Sequence, residues 1–269
     1  MRIAVMGSGG VGGYFGGRLA RGGADVTFIA RGAHLAAMRE QGLTIEDADE
    51  PFRLSTVNVT DDPATIGPVD LVMFCVKLWD TAAAARALAP VMGPDTALIS
   101  FQNGVQKDDM LRPIVGAQAL MGGVAYVGTQ ISRPGVIAQT GPMQRLVFGE
   151  YDGRRSARVE AFLAACRRGG INAEISADIR REIWQKFVFI AGMAAATAST
   201  RRPVGPVRSH PLTRQFFLDL MREVVAVGRA HGIAIPEDFA EQRAETVLAG
   251  LQVWLSKMGT ISNLLFVHL

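Results

Sequence analysis

The segment Gly7-Ser8-Gly9-Gly10-Val11-Gly12 follows directly on the apolar run Ile3-Ala4-Val5-Met6 and heads a stretch, Val11 to Arg21, that reads as helix. A strand that turns into a helix through Gly-x-Gly-x-x-Gly opens a βαβ unit. The first glycine makes the sharp turn and the second lets a pyrophosphate approach the backbone. The third allows tight helix-strand packing, and the helix N-terminal amides hold the negative charge. Gly7, Gly9 and Gly12 take these three places, with Ser8, Gly10 and Val11 completing the cofactor-contacting turn. A chain with 30 glycines makes the pattern by chance, so its context carries the weight: a strand before, a helix after, and a second strand from Asp25 to Ala30. The context predicts a Rossmann unit.

The end of that second strand bears on the choice of cofactor. Sites that prefer NAD place an Asp or Glu there to accept a hydrogen bond from the ribose 2'-hydroxyl. Here the strand ends Phe28-Ile29-Ala30-Arg31. An arginine at that point can pair with a 2'-phosphate and cover the adenine with its guanidinium plane, which predicts NADP(H). A solvated arginine at a strand end is the competing reading.

A chain of 269 residues allows one large or two medium domains, and 49% apolar with 20% charged residues describes an ordinary globular protein. A net charge of +3 without any long Lys/Arg block excludes a nucleic-acid groove. Cys75 and Cys166 lie far apart and belong to no metal-spaced cluster, which suits a reducing compartment and predicts no metal site. The N-terminus enters a strand at once and lacks the pattern of a secretory signal. Apolar stretches in the last third are broken by Lys257 or glycines and fall short of a membrane span. The expectation is a cytoplasmic protein without membrane association.

Further along, Leu54 to Val59 reads as a strand and Asp70 to Val76 as a buried parallel one. Lys77-Leu78-Trp79-Asp80 follows at its carboxyl end, where open α/β sheets bind ligands. Helix Thr81 to Met92 leads to strand Thr96 to Phe101, which ends in Gln102-Asn103-Gly104. Strands are expected at Leu120 to Thr129, Gly135 to Thr140, Gln144 to Gly149 and Asn172 to Ser176, with a helix from Arg155 to Arg168. From Asp178 the periodicity turns helical: Ile179 to Ala198, Pro211 to His231 and Pro236 to Leu255, with Thr200 to Pro206 as a structured turn. The predicted fold is α/β, an N-terminal Rossmann domain (1–176) followed by an all-α C-terminal domain (177–269) for substrate binding and dimerisation.

In the helical half, Lys186 stands in Glu182-Ile183-Trp184-Gln185-Lys186-Phe187-Val188-Phe189, a cation set into an apolar helix. Burial disfavours an ammonium and lowers its pKa toward neutrality, as a general acid requires. A lysine snorkelling from a partly exposed face is the alternative.

These segments together resemble the ketopantoate reductase (2-dehydropantoate 2-reductase) family. The resemblance runs through Gly7 to Gly12, Arg31, Val76-Lys77-Leu78-Trp79, Gln102-Asn103-Gly104 and Trp184-Gln185-Lys186. It continues through Met221-Arg222-Glu223-Val224 and Ala230-His231-Gly232-Ile233. It implies NADPH-dependent reduction of a small 2-keto acid in pantothenate biosynthesis, with Lys186 giving a proton to the developing alkoxide. It also implies Asn103 between nicotinamide ribose and substrate, Lys77 near the cofactor or entering carboxylate, and Glu223 in the substrate cleft.

The chain departs from the family pattern at Ile190 and Ala194, one and two helical repeats past Lys186, where asparagines are expected. Asp80 replaces a glutamine. No Asp or Glu follows Glu245, and Ser256-Lys257-Met258 only echoes the expected Ser-Met segment, which suggests an altered or truncated tail. Leu264-Leu265-Phe266-Val267 reads either as cover for a shortened domain or as a self-association patch that would make a homodimer. Two alternatives stay open: a related hydroxy-acid dehydrogenase, and an NADP-binding sensor or partner protein without turnover.

Overall fold

The computed structural model describes residues 1–47 and 49–245. They fall into two compact units, Met1–Ile179 and a second from Arg180 onward. The first opens with β1 (Arg2–Met6), α1 (Gly10–Arg21), β2 (Asp25–Ile29), α2 (Gly32–Gln41), β3 (Leu43–Glu46), β4 (Phe52–Leu54) and β5 (Asn58–Thr60). It continues through β6 (Leu71–Phe74), α3 (Thr81–Ala87), β7 (Ala97–Ser100) and α4 (Lys107–Val115). The hairpin β8 (Leu120–Arg133) and β9 (Val136–Gly149) comes next, then α5 (Ala157–Arg168) and β10 (Asn172–Ile175).

All ten strands form one sheet in the order β4-β3-β9-β8-β7-β6-β1-β2-β5, with β10 also on β9. From β5 to β8 every pair is parallel, a Rossmann core whose order reverses at β1 between β2 and β6. Alternation along β1 sends Ile3 and Val5 into the core on one face of the sheet and Ala4 and Met6 into the core on the other.

Several elements differ from the sequence expectation for local reasons. The strand expected at Leu54 to Val59 splits into β4 and β5, which lie on opposite edges of the sheet. Pro90 ends the helix expected to reach Met92, so α3 gives way to a 3-10 turn, Ala89–Val91. The strands expected at Gly135 to Thr140 and Gln144 to Gly149 are one strand, β9. The register jumps from Thr129↔Gln139 to Val127↔Gln144, and the intervening bulge takes in Gly141 at φ +79 and Pro142. Helix α2 lies in a stretch of weak amphipathic periodicity, and α4 and β3 are short elements that no sequence expectation covers.

The second unit contains α6 (Ile179–Thr200, starting at the close of the first unit), α7 (Val204–Ser209) and α8 (Pro211–Ala230). Helix α7 fills part of the stretch expected to be a turn. Pro203 is its N-cap and Pro206 sits in its first turn, where a missing N–H costs nothing. Gly192 lets α6 approach α8, because a Cβ there would lie 2.6 Å from Met221 Cγ. Residues 239–245 are helical. The third helix, expected from Pro236, thus starts three residues late, and its stretch from residue 246 on, Ser256-Lys257-Met258 and Leu264 to Val267 lie outside the described residues.

Candidate functional site

The turn after β1 stands where the strand order reverses, the crevice in which open α/β sheets hold ligands. Gly7 has φ +93, and a Cβ on it would lie 2.8 Å from the Val76 nitrogen. The amides of Gly7 and Ser8 donate to the Ile29 carbonyl at 3.3 and 3.2 Å, and the buried Ser8 hydroxyl donates to the same oxygen at 3.1 Å. The Ser8 side chain therefore ties the turn to the end of β2. A Cβ at Gly12 would come within 2.2 Å of the Gly7 carbonyl oxygen, and one at Gly10 within 2.5 Å of the Thr129 oxygen, so β8 imposes this additional glycine. Gly9 is different: it caps α1, no side chain caps the helix, and nothing lies within 4 Å of an added Cβ. Bare backbone, open space and an uncapped helix N-terminus fit the pyrophosphate of a dinucleotide. Val11, half-buried, follows in the first turn of α1.

Arg31 and the Lys77 turn come together beside this opening from β2 and β6, the two neighbours of β1. Arg31 is 80% exposed and its Nη2 lies 3.2 Å from Asp80 Oδ2. Lys77 is exposed and caps the 3-10 turn Leu78–Asp80 that carries this carboxylate.

The loop after β7 presents Asn103 as an exposed residue, followed by Gly104 at φ +101. Its base is buried. The Ser100 hydroxyl donates to Gln102 Oε1 at 3.0 Å, Gln102 Nε2 donates to Thr81 Oγ1 at 2.8 Å, and the Thr81 hydroxyl donates to the Leu78 carbonyl at 2.7 Å. This chain of bonds joins the Asn103 loop to the Lys77 loop. Gln102 is read in the sequence only as part of the Gln102-Asn103-Gly104 motif, and Thr81 and the fully buried Lys107 escape as site residues, because their partners are distant in the chain and their residue types are ordinary on surfaces. The only local signal is Gly122-Gly123 at the start of a strand, a mark of close backbone approach.

His34 is a further residue that the sequence reading passes over. One ring nitrogen, Nε2, lies 2.9 Å from the Ser8 carbonyl and donates to it, while Nδ1 accepts the Gly135 amide at 3.0 Å. Both bonds together require the neutral ring, and burial holds its pKa below the ordinary histidine value. A depressed folded-state pKa means that the unfolded chain takes up the proton first. The stability that His34 contributes is thus whole above about pH 6.5 and is lost as the pH falls from there through the lowered folded value. Urea midpoints of the unmutated and His34→Gln proteins should converge on acidification across this window. Parallel pH profiles would show that the ring does not titrate with folding.

In the second unit Lys186 lies on α6 and is half-buried rather than enclosed, so the apolar setting inferred from its neighbours is only partial. Those neighbours do the packing: Ile183 and Val188 are buried, and Trp184 lies against His231 with ring centroids 5.6 Å apart and planes tilted by 32°. Gly228 makes room for the indole. Ile190 and Ala194 are half-buried, and Glu223 is exposed on α8. Met221 is buried in the core of this unit with Trp184 packed against it, while His231 is exposed and covers the indole from outside. Among the described residues no group of His, Cys, Asp and Glu is placed to hold a metal, and no helix is long and apolar enough to cross a membrane.

Comparison with known proteins adds a separate line of support. Residues 3–153 match the family model described as ketopantoate reductase PanE/ApbA, and residues 178–259 match the model of its C-terminal part. The 2-dehydropantoate 2-reductase of Halobacterium salinarum is 34% identical over 251 residues, covering 93% of this chain and 82% of its own. The crystal structure of the enzyme of that name from Porphyromonas gingivalis superposes with a TM-score of 0.85 at 30% identity, over 96% of this chain and 93% of the other. That of Geobacter metallireducens gives 0.87 at 28% identity, over 93% and 83%.

Proposed function

Because the chain belongs to the ketopantoate reductase family, an oxidoreductase family, we propose that it reduces a 2-keto acid to the 2-hydroxy acid with NADPH, in the manner of the ketopantoate step of pantothenate biosynthesis. Unit one is the NADP domain of this reading and unit two the substrate domain, in a reducing, cytoplasmic setting. The observation that carries it is the open, uncapped glycine turn with the exposed guanidinium of Arg31 beside it. When bound, NADPH supplies the hydride that adds to the carbonyl carbon. Lys186 gives the carbonyl oxygen its proton and stabilises the charge that develops on it beforehand. Asn103 orients the nicotinamide ribose and the keto acid. Arg31 holds the 2'-phosphate, Lys77 lies near the cofactor or the entering carboxylate, and Glu223 takes a substrate-side role on α8.

Magnitudes decide whether Arg31 is available. Its exposed pair with Asp80 is worth about 0–1 kcal/mol, whereas a charge-assisted pair with a phosphate is worth about 1.5–3 kcal/mol, so the phosphate displaces the carboxylate. Titration should show NADPH binding more tightly than NADH, and Arg31→Ala should remove most of the difference, about 10- to 100-fold. Equal affinities in the unmutated protein would refute the cofactor assignment. A panel of 2-keto acids assayed by NADPH oxidation tests the reaction. Apolar Ile190 and Ala194 favour a keto acid other than ketopantoate, or a related hydroxy acid in the reverse direction, because each hydrogen bond withheld from a buried substrate group costs about 1–3 kcal/mol. Silence across the panel with NADPH binding intact would favour a binding protein without turnover.

A further inference from the structure

The loop that carries Asn103 is closed by its own far end. Residues 101–106 join β7 to α4, and Lys107, the first residue of α4, turns its side chain back beneath them. Its Nζ donates to the Ser100 carbonyl at 2.5 Å and the Gly123 carbonyl at 3.0 Å, and lies 3.2 Å from Asp108 Oδ2. One ammonium thus holds the last residue of β7, the first residues of α4 and the neighbouring strand β8. Gly123 leaves the room for this: a Cβ on it would lie 3.0 Å from the Ser100 oxygen and 2.4 Å from Ile99 Cγ2.

The charge is out of proportion to a packing role. Lys107 is only 1% exposed and Asp108 beside it 5%. Desolvating both ions costs several kcal/mol, and an apolar side chain of similar length would fill the same space without that penalty. What an ammonium does and an apolar group cannot is fix two carbonyls and a carboxylate at once. The Ser100 carbonyl is where the backbone enters the Asn103 loop, Lys107 itself is where it leaves, and the Gly123 carbonyl ties both ends to β8. On the loop's other side the Ser100, Gln102 and Thr81 bonds complete the closure.

We propose that Lys107 is a positioning residue for the nicotinamide half of the cofactor, fixing the backbone of residues 101–106 and thereby the direction of the Asn103 side chain. This rests on the proposed place of Asn103 beside the nicotinamide ribose. It separates the two ends of the ligand, because the phosphate end is assigned to the glycine turn and Arg31, neither of which bonds to Lys107.

The test uses calorimetric titration of the whole chain with NADPH and with 2',5'-ADP, which keeps the phosphate end and lacks the nicotinamide. Lys107→Met is the direct variant. The double variant Lys107→Met with Asp108→Asn avoids stranding a buried carboxylate, so a folded protein is at hand even if the single change unfolds it. The expected result is NADPH binding weakened by about fivefold or more, the order of one lost ordinary hydrogen bond, with 2',5'-ADP held within about twofold. Turnover, where measured, should fall through kcat. Equal weakening of both ligands would show a general structural role, and unchanged binding of both would show none; either overturns the proposal. An unmutated chain that binds neither ligand would refute the cofactor assignment itself, which is a different result.

Discussion

Lys186→Ala should lower turnover of the preferred 2-keto acid by about 10²–10⁴-fold while NADPH affinity stays as it was, the signature of a lost proton donor rather than a lost binding group. The helix that presents it is secured by other residues. Ile183 and Val188 are buried, Trp184 packs edge-on against Phe187 and stacks on His231, and the lysine itself is only half-buried. Truncation to alanine therefore leaves the second unit folded, and the cofactor determinants lie in the first unit. Lys186→Arg should not restore activity, because a guanidinium keeps its proton through the pH range in which an amine can release one. An alanine variant with near-normal kcat would make Lys186 structural and would move the search for the proton donor elsewhere.

What could be read in the sequence was what is local. The glycine turn, β2 ending at Arg31 and the polar residues after β6 and β7 each depend on neighbours in the chain, and the structure puts all of them at the carboxyl edge of one parallel core. What escaped was long-range pairing. His34 is an unremarkable helix residue until its ring is found between Ser8 and Gly135, and Lys107 looks like a solvated helix start until Ser100 and Gly123 are seen to meet on it. Strand β3 is only four residues long, too brief for its alternation Leu43-Thr44-Ile45-Glu46 to announce it, and one of its two partners, Val136 to Ala138, lies far along the chain. Met221 and His231, which stand in segments that carry the family resemblance, make packing contacts in the second unit, Met221 against Gly192 and His231 against Trp184.

Arg18→Met is expected to cost about 3–5 kcal/mol of stability, as breaking a buried ion pair on one side does. Arg18 lies two turns into a glycine-rich helix, and its side chain is 5% exposed; Nη2 lies 2.5 Å from Asp47 Oδ2, itself on a side chain 4% exposed. Tyr14 donates its hydroxyl to the same oxygen at 2.8 Å, and its ring lies under the guanidinium with 5.1 Å from carbon to centroid. Removing the cation leaves a carboxylate enclosed with one phenol and the Asp49 amide, 2.9 Å from its other oxygen. Burial alone raises the pKa of Asp47, yet these bonds from Asp49, Arg18 and Tyr14 outweigh it and hold the group below the usual carboxylate range. A lowered folded-state pKa contributes stability above about pH 3.9 that disappears as the pH falls through the folded value, so the unmutated protein should lose this part only in strong acid. In Arg18→Met this pH dependence should shrink or reverse, because the buried carboxylate without its cation takes up a proton more readily and acid then relieves the stranded charge. Adding Asp47→Asn should recover part of the stability by removing the stranded charge. Denaturant midpoints for the three variants, measured across pH, test the account. A single variant within about 1 kcal/mol of the unmutated protein would place the pair among those whose Coulombic gain only balances desolvation. The cluster would then anchor α1, and with it the glycine turn at the helix's other end, by shape alone.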